Sequence, residues 1–134
     1  MLNRWLEMKR ARDTRSIEYD LSAEGNFQKI YGPRGDFGKV LISARPASEF
    51  SFDSNAQWDS DEDNYDEYVL EGILDELFTR GLAPAPLLTA FTLERIWWHP
   101  VDSSANAFYF AARDAVDAIL KEEKKRSFEA IMKG

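Results

Sequence analysis

Two stretches of the chain carry the same apolar period, and a β-prone run lies between them. Leu70, Ile73, Leu74, Leu77 and Phe78 recur at i, i+3, i+4, i+7 and i+8, one face of a helix with 3.6 residues per turn. Phe108, Ala111, Ala112, Ala115, Val116, Ile119 and Leu120 keep a similar face. The intervening run, 87–98, is rich in Leu, Thr, Phe, Ile and Trp, which suit a pleated, half-buried surface. The spacing predicts helices over 66–80 and 105–125 and a strand over 87–98. Asp66 and Glu67 near the start of the first helix and Arg80 near its end suit the helix dipole. Gly81 ends it, and Pro84 and Pro86 prevent continuation. Asp102, Ser103 and Ser104 offer N-caps for the second helix. The small residues Ala111, Ala112 and Ala115 would let that helix lie close to a sheet. Lys121, Lys124, Lys125 and Arg126 crowd its end, and 128–132 reads as a short apolar tail.

The first half reads as strands. Candidates are 16–21, 27–31, 37–44 and 50–58, with a Gly/Pro turn at 32–35 joining two of them into a hairpin. Strands, helix, strand, helix predicts a two-layer α+β sandwich with both helices on one face of the sheet. At 134 residues, 44% hydrophobic and 31% charged, the chain suits one globular domain. Residues 1–15 form an expected N-terminal extension, short and helical or frayed, with Trp5 as an anchor. Residues 16–134 form the domain.

Charge and composition exclude several functions. The net charge is −7, but nine acids and no Lys or Arg fall between Glu49 and Glu71. The remainder is close to neutral, so the acidity is local. The expected acidic partner surface is Asp59, Asp61, Glu62, Asp63, Asp66 and Glu67. Asp59, Asp61 and Asp63 start with calcium-loop spacing, but Asn64 and Leu70 stand where Gly and Glu are needed, so no metal is expected. Cysteine is absent, which removes disulfides, thiolate nucleophiles and cysteine-ligated zinc. No apolar run reaches membrane-span length, and no secretory signal opens the chain. A cytoplasmic location is the expectation, with no membrane partner.

Three segments and the chain's end together resemble domain IV of elongation factor G. That family has a hairpin of the form Gly-Gly-Arg-Gly-Gln-Phe/Tyr-Gly-x-Val, here Gly32-Pro33-Arg34-Gly35-Asp36-Phe37-Gly38-Lys39-Val40. A helix ending in Gly and a strand follow, here 69–80, Gly81 and 87–98. The strand leads into His-Asp-Val-Asp-Ser-Ser, here His99-Pro100-Val101-Asp102-Ser103-Ser104. The family domain closes with Pro-Ile-Met-Lys, here Ala130-Ile131-Met132-Lys133. The resemblance covers roughly 17–133. It implies a four-stranded, ribosomal-protein-like sheet with two helices and a left-handed crossover. It also implies a tip that reaches the decoding region of the small ribosomal subunit, beside transfer and messenger RNA. The tip residues carried over are Gly32, Arg34, Gly35, Asp36, Lys39, His99, Asp102 and Ser103.

The chain departs from the family at several points. Asp36 replaces a Gln, and a carboxylate facing phosphates would be repelled. Pro33 replaces a Gly, and the acidic segment replaces a Gly-Gly-x-Ile/Val-Pro stretch. No residues correspond to the GTP-binding domains, so no nucleotide, cofactor or enzymatic activity is expected. His99, Asp102, Ser103 and Ser104 crowd one turn and lack the spread of a hydrolase triad. Trp97 and Trp98 are adjacent in a strand, so one faces the core and at most one is available to stack on a base. Two functions remain: a module binding ribosome or RNA through its tip, or a protein-interaction module whose acidic segment binds a basic partner.

Overall fold

The computed structural model describes residues 14–31, 34–79, 85–99 and 103–133. The expected hairpin dominates it: β2 (Leu21–Tyr31) pairs antiparallel with β3 (Arg34–Pro46), from Leu21↔Ala44 to Tyr31↔Arg34. On its other side β3 pairs antiparallel with β5 (Ala85–Trp97), and the register shifts between Leu41 and Ile42. The outer side of β5 carries two short parallel strands end to end. These are β1 (Thr14–Ser16), opposite Ala85 and Leu88, and β4 (Ser51–Ser54), opposite residues 90–93. Among the described residues the sheet therefore has five strands and is four across. Helix α1 (Asp66–Thr79) links β4 to its parallel neighbour β5, and α2 (Ala105–Lys133) follows. The fold is the α+β sandwich that the alternation of elements predicts.

Several boundaries differ from the sequence expectation. The strand expected over 16–21 is split, with Thr14 to Ser16 in β1 and Leu21 opening β2. Residues 17–20 instead carry the chain between the two strands. Ile17 is buried there, and the Glu18 N–H donates to the Glu123 carboxylate at 2.9 Å. Thr14 and Arg15, assigned to the extension from sequence, belong to the sheet, while Trp5 lies outside the described residues. The strand expected over 50–58 stops at Ser54, because Trp58 turns into an aromatic cluster. The expected apolar tail is the last part of α2, which no Gly or Pro interrupts. The pairs Lys121–Asp117 and Arg126–Glu122 support it at i, i+4. Among the described residues, no helix is long and apolar enough to cross a membrane.

Strand alternation divides the sheet into a face covered by the helices and one that, among the described residues, is left uncovered. Val40, Ile42 and Ala44 of β3, with Leu87, Phe91 and Leu93 of β5, lie under the helices. There they meet Val69, Ile73 and Leu77 of α1 and Phe108, Val116 and Ile119 of α2. Helix α2 sits almost on the strand backbone. A Cβ added to Gly25 would lie 1.9 Å from the Ala111 carbonyl oxygen, and one added to Gly38 would lie 2.7 Å from that of Ala107. Gly72 of α1 gives the same clearance beneath the Tyr109 carbonyl oxygen, at 2.4 Å. The small residues noted in the sequence form the matching half of this seat.

Polar links tie α2 in place. Arg15 donates to both oxygens of Glu123, at 3.0 and 2.7 Å, and Glu123 is only 4% exposed. That hydrogen bond raises the pKa of Arg15 against the opposing effect of burial. Between the helices, Tyr109 donates its hydroxyl proton to Asp75 Oδ2 at 2.5 Å, and Arg113 donates to Glu76 and to the Tyr109 oxygen. At the sheet edge, the Asn26 N–H of β2 donates to Asp114 Oδ2 of α2 at 2.9 Å.

Two outcomes follow. Gly25→Ala forces α2 off the sheet and lowers stability by about 3 kcal/mol or more, measured by urea unfolding. Burial and the bond to Asp75 raise the Tyr109 pKa above 10.0 in the folded state. The stability this group contributes is thus intact below 10.0 and lost as pH rises through the folded value. Tyr109→Phe costs about 1–3 kcal/mol at neutral pH, because the buried Asp75 loses a donor. The variant also loses less stability than the wild type above pH 10.0.

Candidate functional site

The site begins with the alternation of β3. Gly38 faces α2, so Asp36 shares the helix side while Phe37 and Lys39 point to the uncovered face. Ser104 immediately precedes α2, and its Oγ accepts the Ala107 N–H at 3.2 Å, the geometry of an N-cap. The same hydroxyl donates its proton to Asp36 Oδ1 at 2.6 Å. Between the two described cap candidates, Ser103 and Ser104, it is Ser104 that caps. Asp36, expected from sequence as a tip carboxylate, is bonded through Oδ1 to the α2 cap.

Ser103 closes the neighbouring loop. Its N–H donates to the His99 carbonyl at 2.9 Å, and its Oγ accepts the His99 N–H at 2.8 Å. Ser103 also forms a parallel bridge with Phe37, which joins this loop to the hairpin. The Phe37 and His99 rings meet edge-on at 6.4 Å. The structure thus brings together Asp36, His99 and Ser103 of the expected tip. Gly35 pairs with Ile30 just above them, and Arg34 begins β3 opposite Tyr31. Gly32 and Asp102 lie outside the described residues.

Lys39 stands one step down the uncovered face, opposite Trp97. Its Nζ lies 4.6 Å from the centre of the indole and 3.4 Å from Glu24 Oε2. Arg95 of β5 is exposed, and its guanidinium also lies 4.6 Å from the Trp97 ring centre. Trp98 turns the other way and stacks on Phe108 with centroids 5.9 Å apart, beside Trp58 and Tyr65. The adjacent tryptophans therefore face opposite sides, as strand alternation predicts. Arg95 and Phe37 are not among the tip residues expected from sequence. The period-two run Arg95, Trp97, His99 is the signal that marks this face.

The acidic segment is partly absorbed by the fold. Asp66 Oδ1 accepts from Ser54 Oγ at 2.7 Å and from Trp58 Nε1 at 2.8 Å, and the Asp66 N–H donates to Asn64 Oδ1. Asp66 thus ties β4 and Trp58 to the start of α1 and does not stand out as a docking charge. Asp63 is half-buried and accepts from Ser60. The Tyr65 hydroxyl donates to it at 3.5 Å, and burial and then the Asp63 charge raise that hydroxyl's pKa. Asp59, Asp61, Glu62 and Glu67 are exposed. Among the described residues, no group of three or more His, Asp or Glu is arranged to hold a metal ion.

Fold and site define an α+β sandwich module with a hairpin end and a pre-helix loop joined at one tip. The family described as elongation factor G, domain IV, matches residues 13–124. The chain belongs to that family. It is 30% identical over 122 residues to elongation factor G of Dehalococcoides mccartyi, covering 88% of this chain and 18% of that protein. It is 34% identical over 110 residues to elongation factor G 2 of Shewanella sp. strain MR-4, covering 79% of this chain and 16% of that protein. The chain therefore spans less than a fifth of these relatives. A crystal structure of a Thermus thermophilus protein superposes with a TM-score of 0.71 at 29% identity, covering 84% of this chain and 17% of that one.

The cap has a measurable weight. Ser104→Ala lowers stability by about 1 kcal/mol in urea unfolding, and Ser104→Thr restores most of it.

Proposed function

We propose that this chain is a non-catalytic translation module that binds the small ribosomal subunit, through RNA, with its tip. The observation that carries this is the union of hairpin and loop. The Phe37–Ser103 bridge and the Ser104–Asp36 bond hold two distant segments as one surface. Membership of the elongation factor G domain IV family supports the assignment to translation. Gly32, Arg34, Gly35, Lys39, His99, Asp102 and Ser103 form the proposed contact surface. Asp36 acts behind it by fixing α2 to the hairpin. The cytoplasm is the compartment where such a module meets its partner.

A second reading has its own support. Asp59, Asp61, Glu62 and Glu67 are exposed on one segment that lacks bases, which suits a basic protein partner.

Co-sedimentation with ribosomes and isolated small subunits separates the two. Saturable binding at low salt that Arg34→Ala with His99→Ala abolishes is the expected result. Binding that survives this pair and disappears when Asp59, Asp61, Glu62 and Glu67 become Asn or Gln points to the acidic surface instead. No binding at low salt, where phosphate contacts are strongest, rejects the tip assignment.

A further inference from the structure

The tip does not end at its loops. Phe37 lies on the same sheet face as Lys39, Trp97 and Arg95, because positions two apart on a strand share a face, and the His99 ring beyond the end of β5 meets Phe37 edge-on. Lys39 sits opposite Trp97 in the register, so Phe37 is a diagonal neighbour of Trp97, about 7–8 Å away. Neither α1 nor α2 covers this face, since each packs on the opposite one. The result is a continuous strip of two aromatic rings and an imidazole flanked by two cations. It runs from the middle of the sheet to the tip.

We propose that this strip binds single-stranded RNA, with successive bases stacked on Trp97 and Phe37. The chemistry is that of a sheet platform, where aromatic side chains on neighbouring strands each take a base and cations hold the backbone. Arg95 is exposed and rests on the indole. A base that takes its place on the ring frees the guanidinium to pair with the adjoining phosphate. Lys39 supplies the second phosphate contact. Its present partner is Glu24, an acid whose side chain is 53% exposed. Such exposed pairs are weak, so a phosphate displaces Glu24 readily. A duplex keeps its bases stacked on each other and cannot offer their faces to the rings. This inference rests on the proposed RNA role but assigns it a second surface, a strand's length from the loops.

Fluorescence anisotropy of a labelled single-stranded oligouridine, titrated with the purified chain over a range of salt, tests it. Trp97→Ala is expected to weaken binding roughly tenfold or more, with Trp97→Phe retaining most of the affinity. Arg95→Ala is expected to lower the slope of log affinity against log salt by about 0.7. Glu24→Gln is expected to tighten binding. Thermal melting of each variant checks folding, and Arg95→Ala and Glu24→Gln keep the test decisive if Trp97→Ala does not fold. Binding that is unchanged by Trp97→Ala in a folded variant overturns the proposal. So does equal affinity for duplex RNA, or for a polyglutamate peptide, since either reduces the strip to a charged surface. If the chain sediments with small subunits through its tip but shows no Trp97-dependent binding, the platform is rejected and the tip assignment stands. If oligouridine binds through Trp97 while ribosomes do not bind, the reverse holds.

Discussion

The seating of α2 on the sheet backbone sets the geometry of everything else. Gly25 and Gly38 present no side chain where Ala107, Ala111 and Ala115 pass. The helix axis is therefore closer to the strands than larger residues would allow. Gly72 lets α1 approach α2 in the same way. Close contact between rigid backbones leaves little room for sliding, because dense packing resists even a methylene of added volume. The Arg15–Glu123 pair fixes the far part of α2, with Glu123 also receiving the Glu18 N–H. A buried carboxylate is tolerated there because three donors satisfy it.

The position of the tip follows from that seat. The start of α2 comes to rest over Gly38, which places Ser104 within reach of Asp36 and Ser103 beside Phe37. In the family this chain resembles, the position of Asp36 is usually a Gln. Here the carboxylate accepts the proton of the hydroxyl that caps the helix, at the end where the dipole favours negative charge. The substitution thus has a structural use on the covered side of the sheet. The uncovered side keeps its aromatic and basic residues. The two sides of one strand carry different side-chain chemistry, and strand alternation keeps them apart.

Much of this was legible in the residues, and the exceptions share a cause. The α1 period and its acidic start locate that helix to within a residue, because burial of one face is a local pattern. The opposite facing of Trp97 and Trp98 is equally local. The early part of β2 was hidden because Gly25 and Asn26 break the alternation. Gly25 is there for the helix above it, a fact of tertiary packing. β1 is three residues long and exists only through pairing with β5. Asp66 reads as one more acid in an acidic run, yet Ser54 and Trp58 consume it. Asp36 reads as a repulsive tip residue, yet its partner lies 68 positions away. In each case the deciding contact comes from another segment, which no window along the chain contains.

One edge of the sheet is β2, eleven residues long, the other being made by the short strands β1 and β4. An open strand of that length is a template on which another chain's strand can assemble, and long assemblies of this kind end in fibrils. The Asn26 N–H, near the middle of that edge, is already taken by Asp114. An incoming strand would lose a hydrogen bond there and meet a carboxylate held in place by α2. A single helix side chain thereby helps keep crowded copies of the protein from adding to one another along their sheets.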